Sequence, residues 1–108
     1  MIKAIFYLNQ DAKYIGFDIK GHAGYAKSGK DIICAAVSTL AITIANSIET
    51  NTDVQFEEDM DENGSISFKI TSNYDDKAQL LLSTLALGLD DLSKTYGKKY
   101  LKVHYKEV

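Results

Sequence analysis

The chain has 108 residues and a net charge of −3, a length that suits one domain with a buried core. Its composition, 45% hydrophobic and 25% charged, excludes a globally disordered chain. All twelve cationic side chains are lysines, and the lack of arginine argues against a nucleic-acid-binding protein, because phosphate and base contacts favour a basic, arginine-containing surface.

Two alternating segments open the chain and predict a β-hairpin. Apolar side chains occupy every second position of residues 2–8 and again of residues 14–20. In the second segment Ile15 is expected to face the core and Tyr14 to face outward. The polar residues 9–13 between the two segments predict the turn.

A loop with three glycines, residues 21–30, leads into a long helix predicted from Asp31 to about Thr50. Apolar residues recur at three- and four-residue spacing along one face of this helix. The stripe consists of Ile33, Val37, Leu40, Ile44 and Ile48. Because the remaining surface is also largely apolar, the helix is expected to be covered on a second side by another subunit.

The second half of the chain predicts two more strands, a helix and a final strand. The expected bounds are strands at about 53–58, 66–70 and 99–106 and a helix from about Asp75 to Tyr96. Asn63-Gly64 is a hairpin-turn signal. The core stripe of the second helix is expected to be Leu81, Leu85, Leu89 and Leu92.

The resulting order ββαββαβ predicts an α+β two-layer sandwich. Each strand has one apolar face, so both helices are expected on one side of a mainly antiparallel five-stranded sheet. With no linker and no repeat, residues 1–108 are predicted to form a single domain.

Two short patterns resemble ligand-binding motifs but lack an essential residue. The stretch Gly24–Lys30 fits the phosphate-loop pattern, but Asp31 stands where a serine or threonine must hold magnesium. The stretch Asp59–Gly64 matches the start of a calcium-binding loop, but Ile70 replaces the obligatory glutamate at its end. A glycine-containing loop and an acidic hairpin turn are the favoured interpretations.

The single cysteine, Cys34, excludes an intrachain disulfide and a multi-cysteine zinc site. No ligand-spaced cluster is evident, so neither a metal nor a cofactor is predicted. The N-terminal segment lacks the cleavage region of a signal peptide, and no apolar run reaches the roughly 18 residues that span a bilayer. The sequence therefore predicts a cytoplasmic protein without a membrane segment.

The pairing of His22 with Cys34 is the most informative feature. A lone cysteine on an apolar helix is usually a small core residue, and a lone loop histidine is usually solvated. Here, however, Asp31 is placed to cap the helix, so Cys34 falls in the first turn, where unpaired N–H groups and the helix dipole favour a thiolate. The carboxylate of Asp31 opposes that effect in part, and it can either cap the helix or hydrogen-bond His22.

A Cys–His pair within hydrogen-bond reach is the minimum machinery for acyl transfer. His22 directly follows a predicted strand, and the glycine loop allows its ring to fold back over Cys34. The unpaired N–H groups of the helix start are candidates for stabilising an oxyanion. Asp18 is a weaker candidate for orienting His22, and His104 is expected to be a solvated strand residue.

At these residues the sequence resembles the Prp family of bacterial ribosomal-processing cysteine proteases. The resemblance rests on Gly21-His22-Ala23 and on GKDIICAAVS at residues 29–38, and it covers nearly the whole chain. It implies a cytoplasmic endopeptidase that removes the N-terminal extension of large-subunit ribosomal protein twenty-seven during ribosome biogenesis.

The resemblance also implies roles for individual residues. Cys34 would be the nucleophile and His22 the general base of a dyad, with Asp31 and Ser38 in supporting positions. The substrate-gating loop would include Gly24, Ser28 and Gly29. The resemblance makes residues 1–108 a single cysteine-protease domain, and the implied partners are the ribosomal-protein extension and a second copy of the chain in a homodimer.

On the residues alone, a function of another class stays open. The chain is alternatively a non-catalytic ribosome-assembly or protein-interaction module, in which Cys34 is a core residue and His22 a surface residue. A redox sensor with one reactive cysteine is a third interpretation. Cleavage of a peptide separates the protease from both, because only the protease would cut it.

Overall fold

The structure, a computed structural model, describes residues 1–27 and 30–108. The elements are β1 (Ile2–Leu8), β2 (Tyr14–Lys20), α1 (Ile32–Asn51), β3 (Phe56–Met60), β4 (Ile66–Ile70), α2 (Asp76–Tyr96) and β5 (Leu101–Glu107). Their order is the predicted ββαββαβ, and the predicted fold class of a mainly antiparallel five-stranded sheet with two helices is confirmed. The interpretation of residues 1–108 as a single cysteine-protease domain stays a prediction.

The sheet has the strand order β3-β4-β2-β1-β5. Three neighbouring pairs are antiparallel, and only β1 and β5 run parallel, because α2 carries the chain back across the sheet before β5 begins. Consequently the end of β2, the start of β1, the β3–β4 turn and the start of β5 all lie at the same end of the sheet. The candidate site is at that end.

A β-bulge changes the faces of the first hairpin. The register shifts between Tyr7 and Leu8, which leaves Ile15 without a partner on β1. Tyr14 therefore turns toward the core, where its ring meets Phe6 edge-to-face with a centroid distance of 5.8 Å, and Ile15 lines a shallow cavity on the opposite face. The expected orientations of Tyr14 and Ile15 are therefore wrong. The extra residue of a bulge reverses the alternation of inward and outward side chains, and the residue types of this segment do not reveal the bulge.

The core lies between the sheet and the inner faces of the two helices. In α1 the predicted stripe is buried except for Leu40, which is half-buried and packs on Gly88 of α2. In α2 the most deeply buried leucines are Leu82, Leu85 and Leu89. Leu81 and Leu92 are half-buried, so the predicted stripe is correct at its centre and displaced by one residue at each end.

Two predicted strand boundaries also shift. β3 begins at Phe56, because residues 52–55 follow the helix in an irregular connection that buries Val54 outside the strand. β5 begins at Leu101, after a turn in which the N–H of Tyr100 donates to the carbonyl of Gly97.

By length and composition alone, α1 is apolar enough to cross a bilayer. Six of its residues are nevertheless buried in the core, and core helices meet the same criteria. One such helix is weak evidence for a membrane span.

Candidate active site

His22 is placed by the end of β2. Its neighbour Gly21 has φ +92°, and a side chain there would collide with the carbonyl oxygen of Met1. Glycine alone fits this close crossing of the two chain segments. The chain therefore leaves the sheet in a fixed direction, with His22 exposed beside the start of α1.

Asp31 caps α1, as predicted. One carboxylate oxygen, Oδ1, accepts the N–H groups of Ile33 and Cys34 at 3.0 Å each. The other oxygen, Oδ2, accepts the N–H of Tyr25 at 3.1 Å. A single side chain thus joins the helix start to the preceding loop, and it places Cys34 in the first helical turn.

The charge of Asp31 is stabilised by these contacts. Desolvation by itself would raise the pKa of its carboxyl group, but N–H groups of Cys34, Tyr25 and Ala26 outweigh that effect and hold the pKa below its ordinary value of 3.8. The carboxylate is therefore ionised at neutral pH.

Most of the expected oxyanion donors at the helix start are already used. The N–H groups of Ile33 and Cys34 donate to the carboxylate of Asp31, and the N–H of Ala35 donates to the carbonyl of Asp31 at 3.1 Å. Of the first four helical N–H groups, only that of Ile32 has no acceptor among the described residues.

Cys34 is a half-buried free thiol. Its Sγ accepts the backbone N–H of Ala23 at 3.3 Å. The Ala23 side chain is only 3% exposed, so it anchors this part of the loop in the core. The loop after β2 therefore contacts the sulfur through its backbone.

A cavity of about 530 Å³ opens above the sulfur on the side of the loop. Its lining consists of His22, Gly24, Ala26, Asp31, Cys34, Ala35 and Ser38. A second cavity, of about 250 Å³, lies toward the β3–β4 turn and shares His22, Cys34 and Ser38 with the first. Cys34 therefore lines two open spaces.

The structure brings together the predicted residues that it describes. Cys34, His22, Asp31, Ser38 and Gly24 all line the first cavity. The other two predicted loop residues, at positions 28 and 29, lie outside the described residues.

No carboxylate orients the histidine in the described part of the chain. The oxygens of Asp31 receive backbone N–H groups, and no hydrogen bond joins His22 to Cys34 or to Asp31 within residues 1–27 and 30–108. Asp18 instead accepts the hydroxyl groups of Tyr7 and Ser67 at 2.7 Å each. A Cys–His dyad without a third member stays a prediction, and in this structure Asp31 caps the helix rather than orienting His22.

The loop after His22 is fastened by a contact that the sequence analysis missed. The ring of Tyr25 meets those of Tyr96 and Tyr100 edge-to-face, with centroid distances of 5.8 and 5.2 Å. Tyr25 is the only Phe, Trp or Tyr residue among residues 21–30, and its presence is the only local feature that indicates an anchor. Its partners are about seventy residues away, and no local pattern identifies them.

Two further parts of the site were missed for similar reasons. The N–H of Ala23 that contacts the sulfur belongs to the backbone, so the residue types of the sequence do not predict this contact. The turn residues Glu62, Asn63 and Gly64 enter the site only because β2 pairs with β4. Over residues 1–27 and 30–108, no group of three His, Cys, Asp or Glu side chains is arranged to hold a metal ion.

Known proteins resemble this chain over nearly its whole length. The model of the family described as cysteine protease Prp matches residues 1–102. The ribosomal processing cysteine protease Prp of Staphylococcus aureus is 27% identical over 107 residues, covering 98% of this chain and 100% of its own length. The protein of the same name from Bacillus subtilis is 27% identical over 101 residues, covering 89% and 90% respectively.

Solved crystal structures also match the fold of this chain. The crystal structure of Staphylococcus aureus Prp with a covalently linked product peptide matches with a TM-score of 0.92 at 27% identity, covering 98% of this chain and 100% of that one. The same protein with a substrate peptide matches with a TM-score of 0.86 at 25% identity and the same coverage. The resemblance that the sequence suggested is confirmed.

Proposed function

Because the chain belongs to the Prp family of cysteine proteases, we propose that it removes the N-terminal extension of large-subunit ribosomal protein twenty-seven in the cytoplasm during ribosome biogenesis. Support for this substrate comes from the relatives, which are named as ribosomal processing proteases, and from the peptide-bound structure of one of them. The family makes the chain a protease rather than a non-catalytic interaction module.

One observation carries the assignment of the site. The sulfur of Cys34 accepts a backbone N–H at 3.3 Å, and Cys34 and His22 together line two cavities. An extended peptide that crosses the sulfur would place residues before the scissile bond in one cavity and residues after it in the other. This is the arrangement that an endopeptidase needs, since it must hold chain on both sides of the cut.

In the proposed mechanism, the thiolate of Cys34 attacks the carbonyl carbon of the scissile bond while the bond to the leaving nitrogen is still intact. His22 takes the thiol proton and later gives a proton to the leaving amine, which breaks the C–N bond and leaves a thioester. Water, deprotonated by His22, then hydrolyses the thioester and restores Cys34. The ring of His22 is exposed, and His22 and Cys34 line the same two cavities.

The oxyanion donors are proposed to come from the loop. The N–H groups of Ile33 and Cys34 donate to Asp31, whereas the N–H of Ala23 is already directed at Sγ. When the carbonyl carbon bonds to the sulfur, its oxygen lies within the reach of this N–H. Asp31 would then act as a positioning residue, because it fixes both the loop and the helix turn. Ser38 supports the floor of both cavities.

A homodimer is the proposed assembly. The outer faces of α1 and α2 expose large apolar side chains, led by Leu80 at 68%, Leu87 at 63% and Ile32 at 51% exposure. Side chains of this size on two neighbouring helices favour burial against a partner. A second copy of the chain would bury the exposed apolar side chains of both helices.

Mass spectrometry of a peptide that spans the extension and the first residues after it tests the proposal. We expect a single cut by the wild type and none by Cys34→Ser, which keeps the size of the side chain and removes the thiolate. Binding of the uncut peptide by Cys34→Ser would show that the variant is folded. Cutting by both proteins would remove Cys34 from the mechanism, and binding without cutting by either would overturn the proposed reaction.

A further inference from the structure

Lysines are concentrated in the segment that joins α2 to β5. Residues 94–106 contain five of the twelve lysines and none of the fifteen carboxylates, although the whole chain has a net charge of −3. All five side chains are exposed, and they are Lys94, Lys98, Lys99, Lys102 and Lys106. An acidic chain therefore has one strongly basic segment.

Three of these lysines converge on a cavity of about 470 Å³ at the edge of the sheet. β5 is the last strand in the sheet order, so one of its sides has no neighbouring strand among the described elements. The cationic and imidazole side chains of the lining are Lys94, Lys98, Lys102 and His104. Asp90 also lines the cavity, and one of its oxygens accepts the hydroxyl of Tyr105 at 2.7 Å. Three lysines against one carboxylate give the lining a net positive charge.

Two structural roles account for single lysines but not for their convergence. A lysine on an exposed edge strand, such as Lys102, hinders pairing with a strand of another molecule. A lysine in the last turn of a helix, such as Lys94, lies near the negative end of the helix dipole. Neither role explains why Lys98, in the turn between them, lines the same cavity. Like charges that gather around one recess repel one another, and a bound anion would relieve that repulsion.

We propose that this lysine surface, formed by Lys94, Lys98 and Lys102 with His104, binds the phosphodiester backbone of RNA without regard to base sequence. Ammonium groups neutralise phosphates and release counterions, and they need no contact with a base to do so. The lack of arginine argues against base recognition and leaves a backbone contact of this kind possible. The choice of RNA among polyanions rests on the proposed function, because the proposed substrate is a component of the ribosome.

The shape of the lysine surface favours RNA over a lipid bilayer. The cavity is a recess at the side of the sheet, which a phosphate group can enter and a flat bilayer cannot fill. Peripheral membrane binding also needs apolar side chains that insert beside the basic ones. The apolar side chain in the lining is Val103, and it is half-buried.

The lysine surface is separate from the cavities at Cys34. It shares no lining residue with either of them. RNA and a substrate peptide would therefore bind at the same time. Bound RNA would keep the protease near a protein that is itself associated with RNA, which raises the local concentration of that substrate.

The test is fluorescence anisotropy with labelled single-stranded RNAs of equal length and different sequence. The cavity variant combines three substitutions, Lys94→Gln, Lys98→Gln and Lys102→Gln. The matched control removes the same charge from exposed lysines that do not line the cavity, through Lys13→Gln, Lys69→Gln and Lys77→Gln. Urea denaturation checks that both variants are folded.

We expect the wild type to bind all the RNAs equally, with a slope of about −2 for the logarithm of the binding constant against that of salt concentration, the value for three phosphate contacts on a single strand. At an ionic strength of about 0.05 M the cavity variant should bind roughly tenfold more weakly or worse, and the control should stay within about twofold of the wild type. Equal weakening of both variants would overturn the proposal, because it would indicate the net charge alone. Absence of binding by the wild type would overturn it as well.

Two competitors test the class of the partner. Vesicles of phosphatidylcholine and phosphatidylserine represent a membrane, and polyglutamate represents an acidic protein. Displacement of labelled RNA by either competitor at a lower concentration of anionic groups than unlabelled RNA requires would overturn the choice of RNA. Self-association of the cavity variant with unchanged RNA affinity would show that the lysines only protect the edge of the sheet.

Peptide cleavage separates this inference from the proposed function. The cavity variant should cut a free peptide at the wild-type rate, because its substitutions lie outside the cavities at Cys34. Lysine-dependent RNA binding without cleavage by the wild type would support the surface and count against the reaction alone. Cleavage without RNA binding would remove the surface and leave the reaction standing.

Discussion

The backbone N–H of Ala23 donates to the Sγ of Cys34 at 3.3 Å, so the loop after β2 directly contacts the sulfur. Asp31 makes this contact possible, because its carboxylate binds the N–H of Tyr25 in the loop and that of Cys34 in the helix. The position of the sulfur relative to the loop therefore depends on one charged side chain.

Removing the cap should affect both stability and activity. Asp31→Ala is expected to lower the free energy of unfolding by about 1 kcal/mol, the usual loss for a helix N-cap, and to reduce peptide cleavage because the loop is released. Asp75→Ala is the matched control, since Asp75 caps α2 by accepting the N–H of Ala78. The control should lose similar stability in urea denaturation and keep its cleavage rate, so an equal loss of activity in both variants would contradict the role of Asp31.

The contribution of Asp31 should disappear in acid. Its pKa is lower in the folded protein than the ordinary 3.8, so the stabilisation is fully present above that value and is lost as the pH falls through the folded pKa. Urea denaturation between pH 3 and pH 7 should give a larger free energy of unfolding for the wild type than for Asp31→Asn. This difference should decrease below about pH 4. A constant difference down to pH 3 would contradict this linkage.

The tyrosine contact should control access to the sulfur. Tyr25→Ala removes two edge-to-face ring contacts, each worth about 0.5–1.5 kcal/mol, and should accelerate alkylation of Cys34 by iodoacetamide in the folded protein several-fold. Tyr25→Phe keeps the ring and the backbone N–H, so it should react like the wild type. Equal alkylation rates for all three proteins would show that the ring does not hold the loop.

His22 should matter for chemistry and not for folding. Its side chain is exposed, and exposed substitutions usually change stability by less than about 0.5 kcal/mol. His22→Ala should therefore unfold at nearly the wild-type urea concentration and lose cleavage by about 10²-fold or more, the contribution of a general base. His104→Ala, which changes an exposed histidine on β5, should leave both measurements unchanged. Retained cleavage in His22→Ala would remove it from the mechanism.

The apolar helix faces should control assembly. Leu87→Glu puts a charge at the centre of the exposed surface of α2 and should convert a dimer to a monomer in sedimentation-velocity experiments. Met60→Glu, at an exposed apolar position on β3, should leave the dimer intact. A wild-type monomer at all concentrations would contradict the proposed homodimer.

Features with a local pattern were predictable from the sequence. The helical spacing of α1, the cap at Asp31 and the turn at Asn63-Gly64 each depend on residues that are neighbours in the chain, and the structure has all three. The placement of Cys34 in the first helical turn followed from the cap. The family motif includes both His22 and Cys34, so it predicted that the two residues share one site.

The remaining features depend on distant residues or on the backbone. The bulge at Ile15 changes the pairing of β2 without changing its composition. The contact between Tyr25 and Tyr100 joins segments that only the completed fold brings together. The contact between the second oxygen of Asp31 and the N–H of Tyr25 depends on how the loop returns to the helix start, which a sequence motif does not specify.

The parallel pairing of β1 with β5 has a consequence for the order of synthesis. A ribosome makes His22 and Cys34 in the first third of the chain, but the rings that anchor their loop belong to Tyr96 and Tyr100, and the strand that completes the sheet follows them. A nascent chain that already contains His22 and Cys34 therefore still lacks the ring contacts that hold the loop between them. Those contacts form only when synthesis is almost finished.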